Sequence, residues 1–202
     1  MVVKLFLLGR PGSGKSTTAR HIEKYLHDKG LITQRFKDYD ILQEMSKEDQ
    51  YSKNFKKTFY KDFEVIDVLE KAILDKALQI LNARLHSYLS TCRTDEYVLI
   101  EFARGNYVEA FQNFSSNILQ DSYFLFIDVD LNICIRRIEQ RMIEPVHSDD
   151  HYTSQEVLQR YYVNQNFPLR KDIFAKSKVL KNQSSLRNFM KKVDNFVDTI
   201  FE

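Results

Sequence analysis

The chain of 202 residues has no surplus of charge: 30 Lys and Arg stand against 28 Asp and Glu, a net charge of +2. A balance that close excludes a global electrostatic attraction to nucleic acid, so any anion-binding site has to be local. No apolar run reaches the roughly 20 residues needed to cross a bilayer as a helix, and no association with a membrane is expected. The short apolar run at the N-terminus passes straight into a glycine-rich loop and does not read as a secretory leader. There are 2 cysteines, Cys92 and Cys134, too far apart in sequence for metal-ligand spacing. Cys134 falls in an apolar segment as a small core residue, and the pattern suits a reducing cytoplasm. Internal repeats and low-complexity tracts are absent. What remains is an ordinary globular composition, 43% hydrophobic and 29% charged, long enough for one domain with a real core.

The informative stretch comes first. Gly9-Arg10-Pro11-Gly12-Ser13-Gly14-Lys15-Ser16 fits G-x-x-x-x-G-K-S/T, the phosphate-binding loop. Its glycines let the backbone curl so that successive N–H groups point at an anion. Lys15 supplies a point charge for the β- and γ-phosphates, and the Ser16 hydroxyl suits Mg²⁺. Gly12, Ser13, Gly14, Lys15, Ser16 and Thr17 are therefore the expected nucleotide-binding residues. The run Val2 to Leu8 before the loop reads as a parallel strand buried on both faces. Thr17 to Lys29 after it reads as a helix whose N-terminal dipole favours the same phosphates, and Gly30 is a natural residue to end it. A strand, this loop and a helix in succession point to a bound nucleoside triphosphate.

Further strands are expected at Leu31 to Phe36, Tyr97 to Glu101, Ser122 to Asp128 and Ser177 to Lys181. In open α/β sheets ligands gather beyond the carboxyl ends of the strands, and three of these strands end in chemistry. Asp38-Tyr39-Asp40 follows the second. Its carboxylates suit Mg²⁺ or an acceptor hydroxyl, with a solvated acidic turn as the plain alternative. Glu101 ends the third as a candidate Mg²⁺ ligand, and Arg104 beyond it can grip an acceptor, although a surface salt bridge would explain the pair too. Asn182 to Ser185 follows the last strand, where it can flank a nucleotide base.

Between these lie the helical patterns. Met45 to Lys61 alternates lysines and aromatics, which suits a solvated helix face over an aromatic stripe better than a surface that stacks bases. Phe63 to Leu89 carries apolar residues at helical spacing and predicts one long helix, broken at most once. Tyr107 to Ile118 predicts another. Asp130 caps a helix over Leu131 to Met142, which carries Arg136, Arg137 and Arg141 and opens into the polar loop 144–152. Arginines beside such a loop are what a phosphotransferase lid needs. His147 and His151 in that loop do not form a metal site, because no strand or helix fixes them. Thr153-Ser154-Gln155-Glu156 has the capping-box form and restarts a helix through about Asn164, which Pro168 ends. The last helix presents Leu186, Phe189, Val193, Phe196, Val197 and Ile200 on its apolar side.

Guanine-reading and switch motifs are absent, as is a transporter ATPase signature. Together, G-R-P-G-S-G-K-S-T, D-Y-D, E-F-A-R-G, R-R-x-x-x-R and N-Q-S-S make the chain resemble the nucleoside monophosphate kinase-like superfamily over nearly its whole length. Asp38-Tyr39-Asp40 resembles the shikimate kinases and related small-molecule kinases more than the adenylate kinases. Phe102-Ala103-Arg104-Gly105 replaces the shikimate kinases' G-G-G, and the adenylate kinases' D-G-F/Y-P-R is missing, which points away from both acceptors. The resemblance implies one domain over 1–202, with a parallel five-stranded sheet in order 2-3-1-4-5 between helices. It also implies an acceptor-binding region near 41–62 and a lid near 137–153. By position, Lys15, Asp38, Arg104, Arg137 and Arg141 would act in phosphoryl transfer. Asp38, Asp40 and Arg104 would meet the acceptor, Ser16, Asp40 and Glu101 the metal, and Asn182 and Ser185 the adenine. The expected cofactors are ATP and Mg²⁺, and the expected partner is a small hydroxylated or phosphorylated acceptor, with nucleosides and nucleotides among the candidates. A polynucleotide 5′-hydroxyl kinase and a nucleotide-gated binding module are the alternatives.

Overall fold

The computed structural model describes residues 2–60, 63–92, 95–143, 152–165, 167 and 176–201. Five parallel strands form the central sheet: β1 (Val3–Leu8), β2 (Ile32–Lys37), β5 (Glu96–Phe102), β6 (Tyr123–Asp128) and β7 (Ser177–Lys181). Their order across the sheet is β2-β5-β1-β6-β7, which in a count of the five alone is the expected 2-3-1-4-5. All seven residues of β5 are buried, as are Leu5 to Leu8 of β1, so the continuous apolar runs occupy the middle of the sheet. β2 and β7 form the edges and keep exposed positions.

Helices cover both faces. On one, Ala19, Ile22 and Leu26 of α1 (Lys15–Asp28) and Phe189, Val193 and Val197 of α8 (Leu186–Phe201) pack on Leu5, Leu7, Leu99 and Leu125. Leu186, expected on the apolar side of α8, is exposed at the helix's first position. On the other face, α2 (Asp38–Glu48) and α3 (Lys71–Leu89) cover a core built around Phe6. The Phe6 ring lies 5.0 to 6.2 Å from those of Phe124, Phe114, Phe111 and Phe102, within the range where aromatic pairs attract. α1 ends as its sequence indicates: Gly30 takes φ +75°, and the N–H groups of Gly30 and Leu31 bond to the carbonyls of His27 and Leu26.

The region after α2 departs from expectation. Phe55–Tyr60 and Phe63–Val68 pair as an antiparallel ribbon, β3 and β4, and the long helix begins only at Lys71. Neither the helix expected from Phe63 nor the solvated helix face over the lysine–aromatic stretch exists there. The residues themselves explain it. Phe, Thr, Val and Ile favour a pleated surface, and Phe55 and Val65 bury their side chains. Asp49 closes the turn beforehand by accepting from the N–H groups of Lys53, Asn54 and Phe55.

Tyr107 to Ile118 is broken too, into α4 (Tyr107–Ala110), a short 3-10 turn and α5 (Ser116–Leu119). The Asn82 side chain takes the Ser115 N–H, and Phe111 and Phe114 turn into the aromatic core. α6 (Leu131–Ile143) starts where Asp130 offers its carbonyl to Ile133 and Cys134. α7 (Gln155–Tyr162) is capped by Ser154, whose hydroxyl accepts from Val157 N–H, so the capping box starting at Thr153 is not formed. Residues 144–151 of the expected lid, with His147 and His151, and Pro168 lie outside the described residues. No described helix is long and apolar enough to cross a membrane.

Candidate active site

The carboxyl ends of β1, β5 and β2 open into one cavity of about 140 Å³. Its floor is the loop between β1 and α1. Gly12 and Gly14 take φ +78° and +101°, and a Cβ on Gly12 would stand 2.6 Å from the Cys134 carbonyl, so neither position tolerates a side chain. The loop is anchored by residues far away in sequence. The Tyr107 hydroxyl accepts from Gly9 N–H at 2.8 Å, and Arg10 donates to the Val129 and Tyr162 carbonyls. The Asn182 amide donates to Ser13 O at 2.9 Å, and Arg137 donates to Ser13 O and Asn182 O.

Three of the expected site residues bond within the chain here. Arg137, expected in the lid, and Asn182, expected beside the adenine, both bond to the loop. Ser185, also expected beside the adenine, accepts through its hydroxyl from Asn188 N–H at the start of α8. Arg141 lines the cavity, and Thr17 lies half-buried in the first turn of α1.

Lys15 is buried and curls back onto the Gly9 and Arg10 carbonyls, both at 3.0 Å. Burial lowers its pKa, against the opposing pull of Glu101 and Asp38. The parallel register sets Glu101 beside Leu7 of β1 and Lys37 of β2, so its side chain meets α1 just beyond the loop. There Ser16 Oγ donates to Glu101 Oε1 at 2.7 Å, and Arg35 donates to Oε2 at 2.5 Å. Burial pushes the Glu101 carboxyl up, but Lys15, Arg35 and Ser16 outweigh it and hold the group below its ordinary value. An ionised carboxylate beside a serine hydroxyl is a hard-oxygen pair that suits Mg²⁺, which keeps water and phosphate oxygens as its other ligands. Among the described residues no cluster of three or more His, Cys, Asp or Glu offers a closed metal cage.

The third component is a buried ion pair. Arg104 Nη1 donates to Asp38 Oδ2 at 2.5 Å and to Ala103 O, and Nη2 donates to Leu74 O. Both side chains are under 10% exposed. Burial raises the Asp38 carboxyl above its usual value even though Arg104 pulls it down. Asp40 is separated from this pair by the turn of α2 and is bonded to Lys37 at 3.0 Å, half-exposed. Of the three residues expected at the metal, then, Ser16 and Glu101 meet, and Asp40 is engaged elsewhere. Arg10, Tyr107 and Asn182, which hold the loop, and Arg35, which holds Glu101, carry no motif for these roles. They become visible only when the fold brings them together.

No protein-family model and no curated protein sequence matches this chain. Solved structures do. A sugar kinase from Janibacter aligns with 98% of this chain and 95% of its own at 14% identity, with a TM-score of 0.63. The APS kinase of Mycobacterium tuberculosis, solved with AMPPNP and APS, aligns with 97% of each chain at 16% identity and a TM-score of 0.60. Shikimate kinase from Acinetobacter baumannii, solved with shikimate, aligns with 100% of this chain and 94% of its own at 11% identity and 0.51. At such identities the likeness concerns architecture. The chain has the P-loop kinase fold.

Proposed function

We propose that the protein is an ATP-dependent phosphotransferase that moves a γ-phosphoryl group onto a small acceptor. The observation that carries this reading is the meeting of two half-sites in one cavity. Lys15, Ser16 and Glu101 stand at the phosphate end, and the buried Asp38–Arg104 pair stands across from them. A nucleotide-binding module that transfers nothing has no need for a second, buried carboxylate facing the phosphates.

The chemistry asks little covalent work of the chain. An acceptor hydroxyl oxygen bonds to the γ-phosphorus, the bond to the β-phosphate's bridging oxygen breaks, and ADP departs. The hydroxyl proton passes to the Asp38 carboxylate, which Arg104 holds in place. Lys15 releases the Gly9 and Arg10 carbonyls to hold the phosphates. Arg141 adds positive charge beside them, and the loop's N–H groups hold oxygens that gain charge. Mg²⁺, held by Ser16 and Glu101, would neutralise phosphate charge.

Lys15→Ala tests the assignment. Transfer of labelled γ-phosphate should fall at least 100-fold with the circular dichroism spectrum unchanged, and retained turnover in a folded variant would refute it.

A further inference from the structure

The two halves of the site are joined through the end of α7. On the phosphate side, Arg10 Nε donates to the Tyr162 carbonyl at 3.0 Å, and Arg10 Nη1 donates to the Val129 carbonyl at 2.9 Å. On the acceptor side, the Tyr162 hydroxyl donates to the Ala103 carbonyl at 3.3 Å, and Gln165 Nε2 donates to the Arg104 carbonyl at 2.8 Å. Arg104 Nη1 uses the same Ala103 carbonyl at 2.6 Å. Tyr162 and the guanidinium that holds Asp38 therefore share one oxygen.

The join is close and thinly backed. A Cβ on Gly105 would collide with the Tyr161 carbonyl, so the end of α7 lies directly on the segment after β5. Tyr162 packs with Ile135, Ile138 and Leu158 in a small core apart from the two that cover the sheet. Burial pushes its hydroxyl up to about 12, which keeps it a donor at neutral pH. Among the described residues, Ser13 Oγ, Arg104 Nε and Gln165 Oε1 are buried without a hydrogen-bond partner. They stand on the phosphate loop, on the segment after β5 and just beyond α7, the three parts that these bonds link. Buried polar atoms are ordinarily bonded, so this arrangement is one that a bound state can improve.

Building on the phosphotransferase reading, we propose that Tyr162 is a positioning residue that couples the two half-sites. Nucleotide on the loop, acting through Arg10 and Tyr162, sets the Ala103–Arg104 segment and so aligns the Asp38–Arg104 pair for the acceptor. Lys15 is the trigger. It holds the Gly9 and Arg10 carbonyls, and a triphosphate that draws it away frees the backbone of the residue whose side chain grips Tyr162. Tyr107 is the fixed end, since its hydroxyl accepts from Gly9 N–H and leaves Ala103 and Arg104 to α7. The route is a contiguous chain of hydrogen bonds. Coupling of this kind is reciprocal, so a bound acceptor tightens the nucleotide in turn.

Hydrogen exchange read by mass spectrometry, in Mg²⁺ with and without saturating AMPPNP, tests the coupling before the acceptor is known. In the wild type AMPPNP should slow exchange at least about fivefold over Ala103 to Tyr107. Tyr162→Phe removes only the hydroxyl and keeps the carbonyl that Arg10 uses. It should bind AMPPNP yet slow that segment less than about twofold. Arg10→Met cuts the other end of the bridge and should lose the slowing too. If Tyr162 served stability alone, or the nucleotide shielded the segment directly, the variants would keep the wild-type ratio of exchange with and without AMPPNP. That ratio in either folded variant would overturn the inference. No slowing in the wild type with AMPPNP bound would overturn it as well and leave the phosphotransferase reading standing. Failure of the wild type to bind AMPPNP would overturn that reading, and the inference with it.

Discussion

Arg104→Met is the most discriminating perturbation of the buried pair, because it separates what the ion pair contributes from what it costs. Both partners lie under 10% exposed and their atoms approach to 2.5 Å. The Asp38 carboxyl nevertheless stays above its usual pKa, so burial outweighs the guanidinium's attraction. Removing Arg104 leaves an ionised acid buried without a counter-ion. That change destabilises by about 3–5 kcal/mol, or roughly 6–20 °C in Tm for a chain of this size. The direction with pH follows from the raised value. The folded state holds the Asp38 proton more tightly than the unfolded chain, so in the window above the ordinary carboxyl pKa the ionised group opposes folding. The penalty of Arg104→Met should therefore be full at neutral pH and shrink as pH falls through the raised folded-state value.

Thermal unfolding of wild type, Arg104→Met, Asp38→Asn and the double variant at several pH values measures this. The double variant should be clearly less destabilised than the sum of the singles. Additivity within about 0.5 kcal/mol, or an Arg104→Met loss that grows on acidification, would refute the argument.

Three further outcomes follow from the site. Glu101→Gln removes the charge beside Ser16 and Arg35, so the Mg²⁺ concentration for half-maximal ATP binding should rise about tenfold or more, read by titration calorimetry at fixed ATP. Asn182→Ala cuts the clasp on Ser13 and should weaken ATP binding about tenfold, with the KM for the acceptor unchanged in steady-state assays. Because Asp38 has to be ionised to take the proton and its pKa is raised, kcat/KM should fall as pH drops through that value. A profile flat down to pH 4 would exclude Asp38 as the base.

How much was legible beforehand varied with the range of the interaction. The phosphate loop, the strand before it, the helix after it and the Gly30 stop rest on neighbours within a few residues, and the structure reproduces each. The five strands were also readable as apolar runs, whereas their order came only from the resemblance to the kinase superfamily. The ribbon at 55–68 was not. Its Ile66, Leu69 and Ile73 spacing mimics a helix, and the choice is made by burial of Phe55 and Val65 against a core that local sequence does not contain. The site followed the same division. Lys15, Ser16 and Glu101 were named from motif and strand end. The separation of Asp38 from Asp40 came from the first turn of α2, which turns one carboxylate inward to Arg104 and the other outward to Lys37.

By itself, the sequence determined that a loop of the phosphate-binding form opens a parallel α/β sheet, because glycine conformations and apolar runs are local properties. Only the tertiary structure decided which distant side chains hold that loop and which carboxylate of Asp38 and Asp40 is buried against Arg104. Asp67 lines the cavity, while Arg137 and Asn182 are not among its lining residues. Hydrogen bonds between residues 98 to 169 positions apart have no sequence period to announce them.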